Sequence, residues 1–202
     1  MNGNVYFLDI TSVNFDENLI NDLPVYCQNK INKVNNICLK KSRTLSWYFL
    51  KQILLKEYNI DLNKTEIFEN HKGKPYIKDI YFNISHSNDY IGIIISEKEC
   101  GIDIERNVIN GNKDRLAQRI LTNDEYEDFC RNDEEGILIK KWTKIETYYK
   151  IIGEGITLAN INNIDFNNVD LDIKSVLLDK DYYLSYGPGN HKIINIKDLN
   201  IL

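Results

Sequence analysis

Two periods run through the apolar positions of this chain. Val5-Tyr6-Phe7-Leu8-Asp9-Ile10 is predicted as a first strand. From Leu19 to Ile37, Leu23, Tyr26, Ile31 and Val34 recur at helical spacing, predicting one or two short helices with Lys30 and Lys33 on one face. Ser42 is predicted to cap a stronger helix running to Tyr58, with Leu45, Tyr48, Phe49, Ile53 and Leu55 as its core stripe and Arg43 in its first turn. Tyr81–Ile84 and Tyr90–Ser96 predict two strands, with Ser85-His86-Ser87 as an exposed polar turn between them. Gly101-Ile102-Asp103-Ile104-Glu105 alternates strictly, so Ile102 and Ile104 fall on one face and Asp103 and Glu105 on the other. A helix near Lys113–Leu121 turns Leu116, Ala117 and Ile120 inward, and Thr122-x-x-Glu125 is a capping-box pattern for the next. Leu138, Trp142, Ile145, Tyr149 and Ile152 form the stripe of a helix from about Glu134 to Ile152, stopped by Gly153. Ile173–Leu178, Tyr182–Tyr186 and Ile193–Ile196 predict an antiparallel meander. This order of elements gives an α+β chain in two halves that meet near Gly101.

Composition narrows the function classes. With 202 residues, 43% of them hydrophobic and 27% charged, the chain suits one ordinary domain or two small lobes. A net charge of −5 excludes a general nucleic-acid binder. No apolar run approaches the roughly 20 residues of a membrane span, and no signal peptide is evident, so a cytoplasmic protein is expected. Cys27, Cys38, Cys100 and Cys130 show no C-x-x-C pairing and are expected to be reduced, mostly buried thiols. His71, His86 and His191 lack zinc-site spacing; His71 and His191 are expected at the surface. Charge is uneven. Seven basic residues and no acid lie between Lys30 and Lys56, whereas Thr122–Glu135 carries seven acids and one arginine. Such asymmetry suits an anionic ligand in one place and cation binding or solvation in another.

Asp103 and Glu105 stand roughly 6.5–7 Å apart along a strand, close enough to share one hard divalent cation. They equally suit the solvent face of an edge strand. Glu146 and Lys150, at i and i+4, could form an ordinary surface pair. Lys74 could be a solvated turn lysine and His86 a structural turn histidine.

Four separated segments change that balance: Gly73-Lys74-Pro75, Phe82-Asn83-Ile84-Ser85-His86-Ser87, Gly101-Ile102-Asp103-Ile104-Glu105, and Trp142-Thr143-Lys144-Ile145-Glu146-Thr147-Tyr148-Tyr149-Lys150 with Gly153-Glu154-Gly155. In this order they resemble the large, single-chain 4′-phosphopantetheinyl transferases of the Sfp type, over about residues 5 to 200. The resemblance implies an α+β fold of two similar lobes related by a pseudo-two-fold axis, residues 1–100 and 101–202, with the active site between them in a monomer. It implies magnesium-dependent transfer of phosphopantetheine from coenzyme A to a serine of an acyl or peptidyl carrier protein, releasing adenosine 3′,5′-bisphosphate, as in holo-acyl-carrier-protein synthases. Asp103, Glu105 and Glu146 match the metal ligands. Lys150 matches the pyrophosphate lysine, Ser85 and His86 the residues contacting coenzyme A, and Gly73, Lys74 and Pro75 the loop beside the adenine. Arg43, Lys30 and Lys33 fall where the family places basic residues against phosphates, and Glu125 matches an acid in the preceding helix. One departure is clear: the family has Trp-x-x-Lys-Glu-Ser, whereas Ile145 precedes Glu146 here and Thr147 follows it.

The residue chemistry agrees with this resemblance. Magnesium is held by a few carboxylates together with substrate phosphates, and cationic side chains neutralise a pyrophosphate. The carrier hydroxyl needs a base, for which Glu146 ranks before Glu125. The cationic stretch with Arg106, Lys113, Arg115 and Arg119 is expected to meet an acidic carrier. Two alternatives remain open: a magnesium-dependent nucleotide pyrophosphohydrolase, and a non-catalytic module binding coenzyme A or a carrier.

Overall fold

The computed structural model describes residues 3–132, 135–157, 160–161, 164–179 and 181–201. Its elements in chain order are β1 (Asn4–Asp9), α1 (Val25–Ile31), α2 (Ile37–Tyr58), β2 (Ile67–Glu69), β3 (Pro75–Ile77), β4 (Ile80–Ser87), β5 (Tyr90–Ser96), β6 (Gly101–Arg106), α3 (Lys113–Ile120), α4 (Asn123–Asn132), α5 (Glu135–Ile152), β7 (Lys174–Leu178), β8 (Tyr182–Gly187) and β9 (Lys192–Asn195), with short 3-10 turns between some of them. The chain is α+β, as its periodicity predicts.

Six strands form one sheet in the order β2-β3-β4-β5-β1-β9, and three form a second in the order β6-β8-β7. Strand alternation sorts the side chains of the larger sheet into two faces. Tyr6, Leu8, Phe82, Ile91, Ile93 and Ile95 meet Leu45, Phe49, Leu50, Ile53 and Leu54 of α2. Val5 and Ile94, from the opposite face, meet Ile102 and Ile104 of β6 and Leu184 of β8. The far face of the smaller sheet carries α5: the Thr143 and Ser185 hydroxyls lie 2.7 Å apart, and Thr147 Oγ1 donates to Ser185 O at 3.1 Å. A third cluster, with Ala117, Ile120, Phe129, Leu138 and Ile145, binds α3 and α4 to α5.

Several expectations are corrected. Asn36, not Ser42, caps α2: the Asn36 side chain accepts from Leu39 N–H, while Ser42 Oγ donates back to Cys38 O inside the helix. Arg43 therefore lies beyond the first turn. Leu55 is 47% exposed and leaves the core stripe to Leu50 and Leu54; Ile152 is likewise exposed at the end of α5. Helix α1 ends at Ile31 with Asn32 as its C-cap, so Lys33 lies outside it. Ser85-His86-Ser87 is no turn but the end of β4, because these residues pair with Tyr90, Ile91 and Gly92 and the chain reverses at Asn88-Asp89. The last strand leaves the meander: β9 runs parallel to β1 and completes the larger sheet. Cys27 and Cys100 are buried, but Cys38 and Cys130 are exposed; all four are free thiols. His71 is exposed, whereas the partly buried His191 ring packs edge-on to Tyr186. The expected start of α5 at Glu134 lies outside the described residues.

Two features set β6 against α5. At Gly101, a Cβ atom would lie 2.6 Å from Thr147 O and 2.9 Å from Ile151 N, so only glycine allows this approach. Gly153, at φ +71°, ends α5 as predicted. Replacing Gly101 by alanine must push strand and helix backbone apart. Gly101→Ala should cost about 1–3 kcal/mol of stability, the usual scale of overpacking, measured by urea unfolding. An unchanged midpoint would show that the contact is looser than described.

Candidate active site

The expected orientation of β6 is found. Ile102 and Ile104 are buried in the core, and Asp103 and Glu105 face away from it toward the C-terminal half of α5. Asp103 is 2% exposed. Its Oδ1 accepts from Lys150 Nζ at 2.7 Å and from Ser85 Oγ at 2.8 Å, and Lys150 Nζ also donates to Ser85 Oγ at 3.0 Å. Asp103 Oδ2 is buried without a hydrogen-bond partner. Glu105 Oε2 accepts from Ser87 Oγ at 2.7 Å. Glu146, one turn before Lys150, places Oε2 4.0 Å from its ammonium.

These charges shift one another. Burial pushes the Glu146 carboxyl up to about 7; the Asp103 and Glu105 charges reinforce the rise and Lys150 opposes it. Burial also raises Glu105, against the pull of Ser87 and Lys150. Three acids and one lysine therefore share a small, partly dry region. Among the described residues, no three His, Cys, Asp or Glu side chains are arranged as a ready metal cluster, and the Lys150 ammonium is the cation directly on Asp103. The donor set nevertheless fits a hard cation in kind, being all carboxylate oxygen with the buried Asp103 Oδ2 unsatisfied.

Beside the acids lies an open cleft of about 290 Å³, lined by Tyr26, Lys30, Arg43, Trp47, Gly73, Pro75, Phe82, Asn83 and His86, among others. Burial, and then the Arg43 charge, hold the His86 imidazole below its ordinary range. A second hollow shares Gly73, Pro75 and Asn83 with this cleft and reaches Lys74, Lys150 and Gly155. The cleft thus continues to the lysine on Asp103.

Not all the candidates gather here. Lys30 lines the cleft but pairs with Glu69 at 2.6 Å, and Lys33 is exposed and not among the lining residues. The Lys74 ammonium points inward and donates to Glu99 Oε2, Cys100 O and Lys150 O at 2.7–2.9 Å, capping the end of α5. Ser85 spends its hydroxyl on Asp103 and Lys150. Glu125 is held elsewhere. It forms the predicted capping box with Thr122 and a salt bridge with the buried Lys141 at 2.7 Å. Lys144 stands over the Phe166 ring, 5.7 Å from its centroid, not beside Glu146. The sequence reading missed the aromatic wall of the cleft, where Trp47 packs edge-on to Tyr26 and Phe82. Asn83 and Ser87 carry no role in the motif reading, although Asn83, Ser85 and Ser87 at alternate positions of β4 mark one polar face, a readable signal.

Because Glu146 binds its proton more tightly when folded, it imposes no penalty below its unfolded value of 4.5; the penalty grows up to about 7 and is constant above. Glu146→Gln, which mimics the protonated form, should therefore be more stable than the parent by roughly 1–3 kcal/mol at pH 8 in metal-free buffer, and nearly equal to it at pH 4.5. Chemical denaturation at both pH values decides this; equal stability at pH 8 would refute the buried-charge account.

Comparison with known proteins places these motifs. Residues 99–193 match the family model of the 4′-phosphopantetheinyl transferase superfamily, a span that includes Asp103, Glu105, Glu146 and Lys150. The chain is 34% identical over 116 residues to the 4′-phosphopantetheinyl transferase gsp of Aneurinibacillus migulanus, covering 53% of this chain and 48% of that protein. It is 30% identical over 115 residues to psf-1 of Bacillus pumilus, covering 54% and 48%, and 26% identical over 159 residues to Sfp of Bacillus subtilis, covering 75% and 65%. The chain thus spans about half the length of the first two relatives it matches. The resemblance to the 4′-phosphopantetheinyl transferases, read first from four separated motifs, is borne out by a family match over the acidic strand and the Glu146 helix and by relatives of that name.

Proposed function

We propose that this protein transfers the 4′-phosphopantetheine group of coenzyme A to a serine hydroxyl of an acyl or peptidyl carrier protein and releases adenosine 3′,5′-bisphosphate. The observation that carries this reading is the meeting of Asp103, Glu105, Glu146 and Lys150 at one end of a cleft lined by Lys30, Arg43 and His86. Relatives named 4′-phosphopantetheinyl transferase support the same reaction class.

In this proposal the nucleotide lies in the cleft. Its phosphates face Arg43, Lys30 and His86, with Lys33 near the mouth, and its adenine lies beside Gly73, Lys74 and Pro75. Tyr26, Trp47 and Phe82 supply the apolar wall. Ser85 contributes through the charges it holds, Asp103 and Lys150. Lys150 neutralises the pyrophosphate, to which Asp103 yields part of its ammonium. Asp103, Glu105 and Glu146 would hold a magnesium ion, which offsets phosphate charge when bound. Phosphoanhydride cleavage asks mainly for positioning and charge stabilisation. The serine oxygen forms the new bond to the phosphorus bearing the pantetheine arm, the bond to the bridging oxygen breaks, and the serine proton goes to a base. Glu146, one turn before Lys150 and at the same end of the cleft, ranks first as that base. Glu125, already engaged by Thr122 and Lys141, suits it less.

We read residues 1–100 as the nucleotide lobe and 101–202 as the lobe bearing the acids, two α+β halves related by a pseudo-two-fold axis. One long helix against each sheet, α2 and α5, supports this. The protein on this reading is a cytoplasmic monomer; among the described residues no helix is long and apolar enough to cross a membrane. Arg106 and the α3 residues Lys113, Arg115 and Arg119 form the docking side for an acidic carrier. Exposed Arg106 and Arg115 support this.

Two experiments test the proposal. After incubation with coenzyme A and magnesium, mass spectrometry of an apo carrier protein should show the gain of one phosphopantetheine, and chelation or Asp103→Ala should abolish the gain while the variant still folds. Release of adenosine bisphosphate without a carrier would instead favour a hydrolase, and transfer by Asp103→Ala would refute the metal assignment. Charge reversal at Arg115 and Arg119 should raise the carrier KM about tenfold, on the scale of two lost rim contacts, and leave the coenzyme A KM unchanged. Unchanged values for both would sink the docking face.

A further inference from the structure

The acids are held by a strand from the other sheet. β4 and β6 belong to different sheets, so no backbone ladder sets their register. Side chains on alternate positions of β4 set it instead. Asn83 Oδ1 accepts from Ile102 N–H at 3.0 Å, Ser85 Oγ donates to Asp103 Oδ1 at 2.8 Å, and Ser87 Oγ donates to Glu105 Oε2 at 2.7 Å. We propose that Ser87 is a positioning residue for cation binding, fixing Glu105 as Ser85 fixes Asp103. The proposal rests on the metal assignment made above for Asp103, Glu105 and Glu146.

Three observations carry it. First, Ser87 Oγ also accepts from Arg106 N–H at 3.3 Å. A hydroxyl has one proton, so with its acceptor side turned to the backbone its proton is directed to Glu105. Second, Ser87 is 8% exposed and absent from the residues lining the cleft and the adjoining hollow, so it acts through Glu105 and not on the nucleotide. Third, Glu105 lies on an edge strand of the smaller sheet, where its long side chain loses its anchor if the hydroxyl goes. Partners that orient metal-ligating carboxylates typically shift metal affinity by about 10–100-fold.

The test compares Ser87→Thr and Ser87→Val, which match in shape and differ in the hydroxyl, with Ser87→Ala alongside. Manganese serves as a paramagnetic probe, and free manganese is followed by electron paramagnetic resonance in titrations of the full chain. Ser87→Val and Ser87→Ala should weaken manganese binding about tenfold or more. Ser87→Thr should bind within about threefold of the parent, and the coenzyme A KM at saturating metal should stay within about twofold in all three. Equal manganese affinity for the Thr and Val variants overturns the proposal, as does a parent protein that binds no manganese. Binding that depends on the hydroxyl in a protein that transfers nothing to a carrier would uphold the positioning role and refute the transferase reading, so the two failures are distinct.

Discussion

The structure depends on a buried charge. Asp103 is almost fully enclosed, and an uncompensated carboxylate there would cost the fold several kcal/mol. Lys150 and Ser85 compensate it, one from α5 and one from β4. Three elements from distant parts of the chain must therefore reach one atom, Asp103 Oδ1. Much of the packing nearby serves that convergence: Gly101 lets α5 approach β6, the Thr143 and Thr147 hydroxyls tie α5 to Ser185, and Lys74 holds the last turn of α5 by Lys150 O. Lys74, which motif matching points toward a ligand, here joins the hairpin after β2 to the end of a helix and the entry to β6.

What the sequence made legible follows from how local each signal is. The alternation in β6, the Thr122–Glu125 capping box and the stop at Gly153 depend on neighbours a few residues away, and all are found. The errors lie where a distant partner decides. Ser42 is a good cap by type, but Asn36 takes that place and Ser42 turns its hydroxyl inward. Ser85-His86-Ser87 has turn composition, yet β5 supplies a strand partner for each residue and β6 supplies acceptors for both serines. β9 has the composition of a meander strand and joins β1 because the core offers a parallel edge there. The acids and Lys150 were legible through the motifs. The aromatic wall of the cleft was not, since Tyr26, Trp47 and Phe82 sit on three separate elements and each passes for ordinary core.

Ile145 bears on the departure from the family pattern. It is fully buried among α3, α4 and α5, so a lysine where Ile145 stands would place an ammonium in an apolar cluster or force α5 to rotate. Its burial fixes the rotation of the helix and with it the direction of Glu146 and Lys150, one residue and five residues on. Lys144 is turned toward Phe166 and offers no substitute charge. The neighbouring isoleucine thus supports the acid by packing, not by charge. Glu146 can then occupy a position that disfavours its own ionisation, because the buried stripe beside it, and not the carboxylate, holds the helix in place.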